Sequence, residues 1–272
     1  MNRSLFLYSL KSGRTGIVVW SAFFFAYALL MMYLLQSMQD IADLLAEYVD
    51  KMGPMVKAFA GDVGSIINPD GTLSPGKWLS LEFLALWPLI MSIYAVLHAG
   101  GIAAREVERG TMDILLSQPV TRYSVIVSKF LVFPLTLVIT AAASILGVLG
   151  GMAIIGNYGD LGGICLVFLP AVLLPLAVAS YSLLCSVVFL DPRKVLIVAG
   201  SVTGLFYILN ILARTVESVG WMGRLSIFHY YEPAETASQL SLNWAGIGVY
   251  LGIIVVCIAA SIYVFQRRDI AL

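Results

Sequence analysis

Apolar residues gather in this chain into six long runs, at about 17–36, 80–104, 123–155, 163–190, 195–213 and 244–265. A helix rises about 1.5 Å per residue, so about 20 apolar residues cross a hydrocarbon core of about 30 Å. Each run therefore predicts a membrane-spanning helix. The third and fourth are longer than one crossing requires, which predicts tilt, kinks or extension beyond the lipid. Pro134, Pro170 and Pro175 mark the kink sites, since each removes a helix hydrogen bond. Gly156-Asn157-Tyr158-Gly159-Asp160 separates the third run from the fourth, and Asp191-Pro192 separates the fourth from the fifth.

The polar segments between the runs carry patterns of their own. "RSLFLYSLKSGR" (3–14) is short and amphipathic, and predicts a helix lying along the membrane surface before the first span turns in. Met38, Ile41, Leu45, Tyr48 and Met52 follow helical spacing opposite an acidic face of Asp40, Asp43, Glu47 and Asp50. That predicts an amphipathic helix ended by Gly53-Pro54. Asn68-Pro69-Asp70-Gly71 is a turn. Residues 214–243, with Trp221, Tyr230, Tyr231 and the adjoining Trp244, suit either an interfacial or re-entrant position or an ordinary packed loop. The fold class is an all-α polytopic membrane protein, with residues 1–272 forming a single transmembrane domain.

Composition agrees with this reading. Of 272 residues, 60% are hydrophobic and 12% charged, where a soluble domain carries about 25% charged residues. Net charge is zero, so overall charge offers no nucleic-acid partner. Arg3, Lys11 and Arg14 precede the first run as in a signal peptide, but the run is too long and no small-residue cleavage site follows it, so it reads as a retained span. Cys165, Cys185 and Cys257 fall inside apolar runs in no metal-binding spacing, and read as small buried hydrophobes.

Charge also orients the chain. With six spans, residues 1–16, 105–129, 191–194 and 266–272 share one side. That side holds Arg3, Lys11, Arg14, Arg105, Arg109, Arg122, Lys129, Arg193, Lys194, Arg267 and Arg268, 11 of the 16 basic residues. It holds only Glu106, Glu108, Asp113, Asp191 and Asp269 of the 16 acids. The positive-inside rule makes it cytoplasmic, with both termini inside and segments 37–79 and 214–243 outside.

Catalytic motifs are scarce. "GTLSPGKW" (71–78) satisfies GxxxxGK, but Trp78 stands where a phosphate-binding loop needs Ser or Thr for magnesium, and the segment lies outside the cell. His98 is the only ionisable residue well inside a run, and reads as a hydrogen-bonded packing residue. An ion-coupled carrier needs more polar groups at membrane depth. Gly147/Gly151, Gly200/Gly204 and Gly248/Gly252 form GxxxG pairs that let helix backbones approach closely.

What remains is "REVERGTMDILLSQPVTRYSVIVSK" (105–129), charged and longer than a turn requires. It predicts a short helix over about 106–117, stopped by Pro119, with Thr121 capping a helix that re-enters the bilayer from Arg122. Such a helix offers a docking surface to a cytoplasmic partner.

This stretch resembles the loop between the second and third spans of ABC-2 type (type V) ABC transporter permeases. The shared pattern is an acidic residue, Gly-Thr, an aliphatic pair, Ser-x-Pro-Val, Ser/Thr-Arg and then Lys, matched here by Glu106, Glu108, Gly110, Thr111, Leu115, Leu116, Ser117, Pro119, Val120, Thr121, Arg122 and Lys129. "RLSIFHYYEPAE" (224–235) and "FQRRDIAL" (265–272) are similar to segments near the family's last span.

The resemblance implies the membrane half of an exporter in the cytoplasmic (inner) membrane. Two cytoplasmic ATPase subunits would bind ATP and Mg, leaving no cofactor on this chain. A second permease chain, identical or not, would complete the pathway within the membrane lipid. Glu106, Glu108, Arg109, Gly110, Thr111, Asp113, Leu115, Ser117, Pro119 and Arg122 would form the coupling helix and its exit, with Asp191, Arg193 and Lys194 a lesser ATPase contact. A pathway lined by apolar and aromatic residues favours a hydrophobic or amphipathic cargo such as a lipid, peptide or drug. The competing readings are an ion-coupled carrier or membrane enzyme, and a non-transporting sensor or assembly subunit.

Overall fold

The structure, a computed structural model, describes residues 3–39, 74–112, 121–156 and 161–267. Six helical segments in that set are long and apolar enough to cross a membrane: Ser4–Ser37, Pro75–Glu108, Tyr123–Ile155, Leu161–Phe189, Pro192–Thr215 and Trp244–Arg267. The chain is an all-α multi-pass membrane protein.

The first helix, α1 (Arg3–Gln39), is unbroken over 37 residues, about 55 Å at the standard rise. This corrects the expectation of a separate surface helix at 3–14. The same 3.6-residue repeat continues through Gly13 and Gly16, so the amphipathic stretch is the first three turns of the span itself. The amphipathic pattern at 40–52 and the turn at 68–71 lie outside the described residues.

The second span starts earlier than residue 80. Ser74 caps α2 (Pro75–Leu79) by accepting the Lys77 N–H, and Pro75 takes the first helical position, where its missing N–H costs nothing. The Gly76-Lys77-Trp78 of the rejected phosphate-loop match therefore opens a membrane helix. Trp78 is buried and donates its indole N–H to the Met31 carbonyl at 2.9 Å.

A wider, π-type turn at Ser80–Leu84 follows, and such turns release backbone carbonyls from the helical ladder. Tyrosines take up two of them: Tyr27 donates to the Glu82 carbonyl at 3.0 Å and Tyr231 to the Leu84 carbonyl at 2.7 Å. The span resumes as α3 (Leu86–Ala99) and ends in α4 (Ala104–Glu108).

The third span comprises α5 (Arg122–Phe130) and α6 (Val132–Ile155), which meet at Leu131 three residues before Pro134. The fourth, α7 (Leu161–Phe189), runs through Pro170 and Pro175 and packs against α3, α6, α8 (Pro192–Thr215) and α10 (Trp244–Arg267). Its inner face sets small residues, among them Ala171, Ala177, Ala179, Ser180 and Ser182, between larger ones such as Val167, Phe168 and Leu174, all buried. In lipid, where apolar burial supplies little drive between helices, close packing of this kind holds a bundle together.

Trp87 lies at the centre, fully buried. Its indole N–H donates to Ser144 Oγ at 3.1 Å, and its ring meets Phe168 edge-on at 5.8 Å.

Of the three GxxxG pairs, Gly147 and Gly151 face α1. A Cβ at Gly147 would lie 2.5 Å from the Phe25 carbonyl oxygen, and one at Gly151 would overlap the Met32 side chain. Among the described residues nothing lies within 4 Å of a Cβ at Gly200, Gly204, Gly248 or Gly252, so these four do not serve contacts between the described helices. Nor are all the cysteines interior: Cys165 is exposed, while Cys185 and Cys257 are half-buried.

Residues 214–243 pack as a loop of short helices: two 3-10 turns, Glu217–Leu225 and Ile227–Tyr230, then α9 (Pro233–Gln239). Ser226 donates to the Phe206 carbonyl at 2.6 Å and Tyr250 to the Ile227 carbonyl at 3.1 Å. Tyr231 is buried, whereas Trp221 and Trp244 are exposed.

Candidate functional site

Beyond Ala99 the second span bends through Gly100 and Gly101. Arg105 reaches back to donate Nη2–H to the Leu97 carbonyl at 2.9 Å. The guanidinium lies against Gly101, where a Cβ would come within 2.7 Å of Arg105 Nε. The backbone N–H groups of Ala103 and Ala104 both donate to Ser186 Oγ of α7, each at 3.1 Å. A helix start leaves such donors unsatisfied, and here a serine of a neighbouring span takes two of them. The bend is thereby fastened to α7.

The helix that starts there is short. Gly110 has φ +65°, its N–H bonds to the Val107 carbonyl, and the Thr111 N–H bonds to the Glu106 carbonyl, both at 3.0 Å. This pair of bonds, six-to-one and five-to-two, is the Schellman stop. It needs a left-handed residue at the position Gly110 occupies, which glycine adopts without steric cost. The expected continuous helix over 106–117 is therefore interrupted: α4 ends at Glu108, and helical conformation returns at Met112, which is buried.

The elbow is tied to the third span. Glu106 Oε2 accepts the Thr111 hydroxyl at 2.6 Å, and Oε1 pairs with Lys129 Nζ at 2.6 Å. Glu108, Arg109 and Gly110 stand exposed on its outer side. Asp113, Leu115, Ser117 and Pro119 lie outside the described residues. Helix α5 begins at Arg122 as expected, but the Thr121 side chain does not cap it; the Thr121 carbonyl accepts from Ser124 N–H at 2.9 Å instead.

The second expected contact shares this end of the molecule. Asp191 caps α8 by accepting the N–H groups of Arg193 (2.9 Å) and Lys194 (3.3 Å), and pairs with Lys194 Nζ at 3.6 Å. The Lys194 and Arg193 backbone bonds, led by Lys194, hold its carboxyl below the usual aspartate range. Arg193 and Arg105 line one cavity of about 150 Å³ with Gly100, Pro192 and Val195, so two sites distant in sequence are adjacent in space.

A larger cavity, about 370 Å³, lies between α1 and the elbow. Tyr8, Ser9, Ser12, His98, Arg105, Glu106, Arg109 and Lys129 are on its wall. His98 stacks on Phe133 at 5.7 Å, and its Nε2 is buried without a hydrogen-bond partner. The expected hydrogen-bonded histidine is thus unsatisfied at that nitrogen. Sequence reasoning passed over Ser186 and the hydroxyls of α1. A serine in an apolar run carries no mark of the backbone it will meet, and only the fold brings Tyr8 and Ser12 to one cavity with the elbow's charged residues. Lys129 was visible as the last residue of the loop pattern. Among the described residues no group of three or more His, Cys, Asp or Glu is placed to hold a metal ion.

Six apolar helical segments, with an exposed elbow pinned between the second and third, define a multi-pass membrane protein. The chain belongs to the ABC-2 family of transporter proteins, whose family model matches residues 6–270. No curated protein matches it.

Proposed function

We propose that this chain is the membrane-spanning subunit of an ATP-driven ABC exporter, joined to a separate ATPase by the segment Glu106–Ser117. The observation that carries the reading is the anchored elbow. Glu108, Arg109 and Gly110 are presented outward, while just before them Ser186 fastens Ala103 and Ala104 to the fourth span and Lys129 fastens Glu106 to the third. A force applied at Arg109 is thereby shared among three spans. The Asp191–Lys194 turn, beside Arg105, supplies the lesser contact.

Orientation follows from charge. The end that carries the elbow also carries Lys11, Arg14, Arg193, Lys194 and Arg267, which favours the cytoplasmic side and puts both termini there. Two such chains, with two ATPases beneath, would form the pathway. ATP binding draws the ATPases together, and differential grip on the elbow in the two states changes access to the pathway. The cargo is hydrophobic or amphipathic, in keeping with apolar spans of few charges.

The test is reconstitution with the partner ATPase in vesicles. ATP-dependent export that falls roughly tenfold in Gly110→Val while hydrolysis persists is the expected result, a loss of about 1.4 kcal/mol of coupling. Transport that outlasts ATP depletion and follows a proton gradient would overturn the reading in favour of an ion-coupled carrier.

A further inference from the structure

We infer that the cavity between α1 and the elbow is a binding site for the phosphate headgroup of an acidic phospholipid. Among the described residues its wall carries three cations, Arg105, Arg109 and Lys129, against a single carboxylate, Glu106. That carboxylate is already engaged with Lys129 and Thr111. Tyr8, Ser9 and Ser12 also line the cavity, and hydroxyls and guanidinium groups together are the donors a phosphate uses. His98 adds a buried ring nitrogen that no group among the described residues satisfies.

The level of the cavity selects a lipid as the carrier of that phosphate. It lies where α1 passes from the exposed apolar Val18 and Val19 to the polar turns holding Ser9, Lys11, Ser12 and Arg14. That is the depth of headgroups, and basic pockets between spans at that depth take acidic lipids. Leu7 and Tyr8, both more than half exposed, offer acyl chains and glycerol an apolar edge beside the cavity. Arg109 is shared with the proposed ATPase contact, so lipid binding is read on the purified chain with no ATPase present.

Two cations carry the proposal, and one close contact positions the first. Arg105 is held against Gly101 and bonded to Leu97, so its guanidinium is fixed before any ligand arrives.

The experiment is native mass spectrometry of the purified full chain with phosphatidylglycerol, with phosphatidylcholine and with soluble glycerol phosphate. Retention of phosphatidylglycerol over phosphatidylcholine is expected, falling roughly tenfold or more in Arg105→Gln/Arg109→Gln. The Arg105→Lys/Arg109→Lys pair should restore most of it, which separates lost charge from lost fold. Arg267→Gln removes one charge at the same end of the bundle and should leave retention unchanged. Equal retention of the two lipids, an equal loss in Arg267→Gln, failure of the lysine pair to rescue, or occupancy by glycerol phosphate in place of the lipid would each overturn the proposal.

Discussion

Glu106 and Lys129, 23 positions apart, meet at 2.6 Å and join the end of the second span to the start of the third. Both side chains are mostly buried, at 22% and 15% exposed, so the pair is shielded from the screening that makes surface ion pairs weak. Glu106→Gln or Lys129→Met leaves the partner charge poorly compensated and should lower stability by about 1–3 kcal/mol. A double-mutant cycle on thermal unfolding should return a coupling energy of about 1 kcal/mol or more. Strict additivity would mean that the tie contributes nothing.

Gly110 tests the elbow's backbone. Among the described residues nothing lies within 4 Å of a Cβ there, and φ is +65°. Gly110→Ala therefore carries conformational strain alone, about 1–2 kcal/mol, and Gly110→Asn should cost less. Thermal unfolding of the two variants checks the order, Asn above Ala.

The glycine pairs should divide. Gly151→Ala forces a methyl into Met32, and Gly147→Ala forces one against the Phe25 carbonyl; each should cost about 1–3 kcal/mol. Gly200→Ala and Gly248→Ala enter open space and should leave the fold of the single chain intact. Expression and melting of the four variants, side by side, read the difference.

Acid should act on the Asp191 cap in a defined window. Its carboxyl is held below the ordinary aspartate range by the Lys194 and Arg193 N–H groups. The cap's contribution is thus complete above the unfolded value of about 3.9 and is lost as pH falls through the lowered folded value. Asp191→Ala should melt below wild type at pH 7, and the gap should close only at pH below about 4. A gap that closes near pH 6 would contradict the assignment.

The sequence carried the spans well because a run of twenty apolar residues has one stable answer in a bilayer, and breaks such as Asp191-Pro192 are local. It carried less of the joints. Residues 3–14 look like a surface helix because an amphipathic repeat is the same whether or not the helix continues. The early start at Pro75 was hidden because residues 71–78 read as part of the outer segment until Trp78 finds the Met31 carbonyl. At the elbow, Gly110-Thr111 stood out as a pattern, but a Schellman stop depends on which carbonyls those N–H groups reach. Ser186 shows the same limit: its role is set by Ala103 and Ala104, more than 80 residues away.

The most direct test of the central proposal is photocross-linking from the elbow. A photoreactive residue replacing Arg109, and another replacing the exposed Trp221 at the opposite end of the bundle, would be placed in the chain co-expressed with its ATPase. The account expects an adduct with the ATPase from position 109 and none from position 221. An adduct from 221 alone, or an ATPase that co-purifies yet cross-links to neither, would contradict it.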